Sequence, residues 1–185
     1  VSPPSSPTAT GVVVGSIDTG EKYRHEALKH NWRSNKGWFN PYNGMVIVTP
    51  VDSAQQGNHT IRTMVGGNGI GVAPEAQWIS CLGLYGNSGS SEVLVAFGRF
   101  MLCPTRLDGT PPPNGDLPRV QLSVRGHGHV VARGSPTSPP RLLHKSADAL
   151  NLSWYLKMAG TSMAAPHIAG VVALLKSAGV RLELR

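Results

Sequence analysis

Carboxylates are scarce in this chain. Its 185 residues hold 10 Asp and Glu against 17 Lys and Arg, a formal charge of +7. That surplus favours acidic partners by long-range attraction. The basic residues are scattered, however, and no zinc-finger, RRM or helix-turn-helix pattern accompanies them, so no nucleic-acid partner is expected. Cysteine is nearly absent too. Cys81 and Cys103 are too few for a disulfide framework, leaving either one bridge or two buried thiols. No apolar run reaches the ~18 residues that span a bilayer, and the opening VSPPSSPTAT has no signal-peptide pattern.

Glycine and proline, at 22 and 15 residues, are plentiful, and hydrophobic residues make up 40%. The length suits one loop-rich globular domain with a sizeable core. Residues 1–10 read as a flexible Pro/Ser/Thr arm. The run 11–17, GVVVGSI, predicts a buried strand ending at Asp18-Thr19-Gly20, and 76–84 predicts a second. Between them, residues 21–50 read as an irregular surface excursion. Ser90 or Ser91 can cap a helix over 92–102, and a short strand is expected at 120–124. Residues 162–177, SMAAPHIAGVVALLKS, are apolar on nearly every side, which predicts a core helix with Gly179 as its stop signal. Strands alternating with helices point to an α/β domain with parallel strands.

The chemistry concentrates in three stretches. In Gly160-Thr161-Ser162-Met163-Ala164-Ala165-Pro166-His167, a serine opens a buried helix. The unpaired N–H groups and positive dipole end there can hold an oxyanion beside a nucleophilic Ser162, although any serine at a helix start can also be only an N-cap. Pro166 reads as close enough to the helix start for its missing N–H to cost little. Asp18 sits at a strand's C-terminal end. The third stretch, Gln56-Gly57-Asn58-His59-Thr60-Ile61-Arg62-Thr63-Met64-Val65-Gly66, precedes GVAP at 71–74.

Together, GVVVGSIDTG, QQGNHTIRTMVGG with GVAP, and GTSMAAPH resemble the Asp, His and Ser segments of the subtilase family of serine proteases, in the family's chain order. The likeness covers most of 11–118 and 152–178, and YGNSGSSEVLVAFGRFMLCPTRLDG is similar to a bacillopeptidase-like branch. The resemblance implies a subtilisin-like α/β fold, a mostly parallel sheet flanked by helices, with part of the central region missing or irregular. It implies a peptidase domain over 11–178, in which 119–151 is divergent, followed by a tail at 179–185. It also implies peptide-bond hydrolysis through an acyl-enzyme, a polypeptide substrate and a secreted setting. Asp18 then takes the orienting position and Ser162 the nucleophile's. Ser88, Gly89, Ser90 and Gly160 fall where the family lines up an extended substrate.

One position departs from the pattern. The family's general base is the first His of His-Gly-Thr-His-Thr, and here Gln56 occupies it. An amide has no useful basicity near neutral pH. His59 matches the second His, and a helix would carry it about 4–5 Å further along the axis, an unlike place for a substitute base. The family's oxyanion Asn has no counterpart either, since Asn114 and Asn151 sit in no matching motif. The block 119–145, rich in Arg, Gly, His, Pro and Ser, reads as unlike the family, as in a decayed or mis-translated gene. No metal site is expected. His127-Gly128-His129 lacks further ligands, and calcium, common in the family, finds no recognisable ligand loop. Two readings follow: an endopeptidase impaired by loss of its base, or a non-catalytic pseudoprotease that binds extended peptides.

Overall fold

The structure is a computed structural model describing residues 8–42, 49–54, 56–85, 90–102, 120–124, 144–147, 155–158 and 161–180; at 102, 120–124, 144–147, 155–158 and 161–163 only the backbone is described. Strand β1 (Val13–Asp18) is buried from end to end. Its β-branched residues suit a pleated strand, and burial on both faces marks the interior of a parallel sheet. Strands β2 (Trp38–Phe39), β3 (Gln77–Leu82) and β4 (Val120–Val124) join it in the order β2-β3-β1-β4. All three pairings are parallel, with Asp18 in register with Leu82 and Ile17 with Val124. Strands β5 (His144–Ala147) and β6 (Tyr155–Met158) form a separate antiparallel pair.

Among the described residues three helices complete the fold: α1 (Gly57–Val65), α2 (Ser91–Leu102) and α3 (Thr161–Ser177). Successive strand side chains point to opposite faces, which divides the core in two. On one side Val12, Val14 and Trp78 pack with Ile61, Met64 and Val65 of α1 and Ala173 of α3. On the other, Val13, Ile17, Ile79 and Cys81 pack with Phe97, Phe100 and Met101 of α2. Each fully buried Val, Ile, Phe or Met among them contributes about 1.5–3 kcal/mol. The β1–α1–β3 connection runs one way along the sheet, and β3–α2–β4 returns past β1 with its helix on the opposite face. The strand order therefore reverses beside β1. In open α/β sheets a crevice forms outside the C-terminal strand ends at such a point.

The expected strands and helices occur with boundaries shifted by two residues or fewer. Ser90 is the cap of α2, its Oγ accepting from the Val93 N–H at 3.3 Å. Gly179 ends α3 at φ +80°. There the Val180 N–H reaches the Leu175 carbonyl at 3.0 Å and the Gly179 N–H reaches Lys176 at 3.1 Å, the paired bonds of a Schellman stop.

Four expectations need correction. Residues 21–42 are irregular but not a surface excursion: Ala27, Leu28 and Trp38 are buried, and the Trp78 indole donates to the Leu28 carbonyl at 3.0 Å. Large aromatics supply much of the available burial, so this segment is drawn under the sheet edge. The arm ends earlier than residue 10, because Ala9 is fully buried and its N–H meets Ser177 Oγ at 3.2 Å; residues 1–7 lie outside the described residues. Helix α3 is not buried all round. Ile168, Val171 and Leu175 are 53%, 43% and 38% exposed on one face, while its packed face is built from the small Ala169, Gly170 and Ala173. A Cβ on Gly170 would lie 2.6 Å from Val72 Cβ. Finally, Pro166 is the sixth residue of α3, beyond the first turn. Its missing N–H leaves the Ser162 carbonyl without its helical donor, at a cost of roughly 3 kcal/mol or more.

Candidate functional site

Asp18 closes β1 at the switch point and is 1% exposed. Its Oδ1 accepts from the Thr19 N–H at 2.8 Å and its Oδ2 from Thr60 Oγ1 of α1 at 3.1 Å. The Thr60 hydroxyl also lies 3.0 Å from the Gly57 carbonyl. One proton cannot serve both acceptors fully, and an ionised carboxylate is the stronger.

The next residue fastens α1 to the strand. Thr19 Oγ1 donates to Asp52 Oδ1 at 2.8 Å and accepts from the N–H groups of Gln56 and Gly57 at 3.2 and 3.0 Å. One donor and two lone pairs are thus all used. Asp52 Oδ1 also takes the Ala54 N–H at 3.2 Å, and its Oδ2 the Asn58 N–H at 3.4 Å. Helix α1 has no acidic residue in its first turn and no side-chain bond from its N-cap, Gln56. Its unpaired N–H groups are instead satisfied by Thr19 and Asp52, from outside the helix. Close approach makes this possible: a Cβ on Gly57 would penetrate the Gly20 carbonyl oxygen.

Gln56 therefore opens α1 one hydrogen bond from the residue after Asp18, and it is exposed. His59 lies one turn further along and is 2% exposed, with its carbonyl accepting from Thr63 Oγ1 at 3.1 Å. Ser162 is the second residue of α3, which packs against α1, β1 and β4. Of the expected substrate-lining residues, Ser90 is occupied in capping α2; Ser88, Gly89 and Gly160 lie outside the described residues, as do Cys103, Asn114, His127, His129 and Asn151.

Sequence reasoning missed Thr19, Asp52, Thr60 and Glu21. Thr60 could have been found, since it stands four residues after Gln56 and so shares its helix face. Glu21 carried no local signal. It is wholly buried, and neither carboxylate oxygen accepts a hydrogen bond of sound geometry. Burial first, then the Asp18 carboxylate, raises its pKa well above the ordinary value, with the nearby Ser16 hydroxyl opposing. Burial likewise raises the free Cys81 thiol, with the Glu21 charge adding to it. Among the described residues no group of three or more His, Cys, Asp or Glu could hold a metal ion.

A model of the subtilase family matches residues 119–182. Bacillopeptidase F of Bacillus subtilis (strain 168) is 33% identical over 120 residues, covering 56% of this chain. The crystal structure of a cold adapted subtilisin-like serine proteinase superposes with a TM-score of 0.61 over 91% of this chain and 77% of the other, at 20% identity. The chain is thus similar to subtilases in part of its sequence. Its α/β fold, with a parallel sheet flanked by helices, is the subtilisin-like one. The matched span of the family model runs through 119–145, the block that the sequence alone set apart from the subtilases. The alignment takes in only 8% of bacillopeptidase F, which is a far longer protein.

Proposed function

We propose that this domain descends from a subtilase serine endopeptidase and that its own peptide hydrolysis is impaired, first of all at the general base. In that reaction Ser162 Oγ attacks the carbonyl carbon of the scissile bond while a base takes its proton. The base returns the proton to the leaving nitrogen as the C–N bond breaks, and water then hydrolyses the acyl ester. Asp18 would orient the base. Gln56 stands where the base belongs, and its amide cannot accept the serine proton. Loss of the histidine from such a triad costs on the order of a million-fold in turnover.

The observation that carries this reading is the bond from the Gln56 N–H to Thr19 Oγ1, beside an Asp18 that is buried and already held by two donors. Two donors already fix the Asp18 carboxylate, which supports its role in orienting a base, and the resemblance puts the Gln56 amide where that base belongs. His59 is a poor substitute because it is buried. A secreted setting and a polypeptide ligand follow from the family. Among the described residues no helix is long and apolar enough to cross a membrane.

An active-site fluorophosphonate probe tests the proposal. The native chain should label no more than Ser162→Ala, and Gln56→His should gain Ser162-dependent labelling together with hydrolysis raised on the order of a hundredfold or more. Hydrolysis by the native chain that disappears in Ser162→Ala would overturn the impairment. A folded Gln56→His that binds extended peptides yet never labels would favour the second reading, a peptide-binding pseudoprotease.

A further inference from the structure

A cleft of about 520 Å³ opens next to the Asp18 end of the site. Lys22, Tyr23 and Arg24 line it from the stretch after β1, and residues 49–52 from the stretch before α1. It is continuous with the site's framework: the Lys22 N–H is held by Asn58 Oδ1 of α1 at 2.6 Å, and Asp52 is the acceptor for the Thr19 hydroxyl.

The charges around the cleft are unequal. Asp52, its one carboxylate, has both oxygens engaged by Thr19, Ala54 and Asn58 at the positive end of α1. Arg24 lies 5.5 Å from the Tyr23 ring centroid, and its Nε donates to the Tyr23 hydroxyl at 3.0 Å, a contact that holds the guanidinium over the aromatic face. Among the described residues neither the Lys22 ammonium nor the Arg24 guanidinium has a carboxylate within ion-pair distance. Among the described residues the cleft thus presents two cations with no carboxylate paired to them, a held aromatic ring and the apolar Pro50 and Val51. That combination fits a short aliphatic chain ending in a carboxylate.

We infer that this cleft receives an acidic side chain, glutamate rather than its amide, of a polypeptide lying across the Asp18 site. The inference rests on the reading that the domain binds extended polypeptide, whether or not it cleaves it. The net charge of +7 would also draw acidic peptides toward the surface. Both cations are partly solvated, so the preference is modest, about fivefold at low salt, and shrinks as salt is added.

The test uses fluorescein-labelled peptide pools, each with Glu fixed at one position, against matched Gln pools, read by anisotropy on the full chain. At one position the Glu pool should bind about fivefold more tightly than the Gln pool. The double variant Lys22→Gln/Arg24→Gln should bring that ratio to one, with an unchanged urea-unfolding midpoint showing that the fold is intact. Equal binding of Glu and Gln pools at every position, or a preference that survives the double variant, would overturn the inference and leave peptide binding standing. Failure of every pool to bind would overturn the peptide-binding reading, and this inference with it.

Discussion

The Thr60 hydroxyl on α1 lies 3.1 Å from Oδ2 of Asp18 at the end of β1, and both residues are buried. That bond joins the helix opened by Gln56 to the end of strand β1. Thr60→Val keeps the shape and removes the donor. The buried carboxylate is then under-satisfied, and the folded state should lose about 1–3 kcal/mol in urea unfolding. A loss below ~0.5 kcal/mol would mean that Thr60 serves the Gly57 carbonyl instead.

Gly57→Ala tests the close approach of α1 to the 18–20 turn. The new Cβ meets the Gly20 carbonyl oxygen, which is backbone and cannot swing aside. The helix must shift and release the bonds to Thr19, so a loss of about 3 kcal/mol or more is expected, or failure to fold. A variant with unchanged unfolding midpoint would show that the helix start has slack.

Glu21 sets a pH dependence whose sign follows from its burial. An unfolded glutamate loses its proton near the ordinary value of 4.5, whereas the buried carboxyl keeps its proton to higher pH. Above that value the folded state binds more protons than the unfolded one, so stability falls as pH rises toward the folded pKa and then levels off. Glu21→Gln has no proton to lose. Its stability relative to the parent should grow as pH is raised from about 5, measured as a difference in urea midpoints. Parallel curves for the two proteins would sink the argument.

Cys81 should be silent to iodoacetamide in the folded protein. The thiol is fully buried and its pKa is raised, so little thiolate is present and access is blocked. Labelling of the native chain as fast as of the urea-unfolded chain would contradict both points.

The exposed face of α3 separates periodicity from packing. Ile168 is 53% exposed and Ala173 wholly buried. Ile168→Ser should change stability by no more than about 0.5 kcal/mol, whereas Ala173→Leu should cost about 1–3 kcal/mol through overpacking. Comparable losses in both would restore the reading of α3 as buried on every side.

Much of this protein is legible in its residue order. The β-branched run through Val13, Val14 and Ile17 determined a buried strand, the serine and glycine at positions 90 and 179 set helix ends, and three spaced segments carried the resemblance to the subtilase family. That Gln56 stands where the resemblance puts the family's base is also legible, because it is a matter of residue identity. Tertiary structure decided the rest. Helix α1 has no local cap, so its start depends on Thr19 and Asp52, which lie outside the helix and meet it only in the folded chain. Residues 21–42 lack any period, and much of the segment is buried because Leu28 and Trp38 find partners across the sheet rather than along the chain. Glu21 gives no local sign of burial, since a side chain's solvation is set by everything packed around it. The cleft beside Lys22 and Arg24 exists only because two segments, nearly thirty residues apart in sequence, are held together by Thr19 and Asn58.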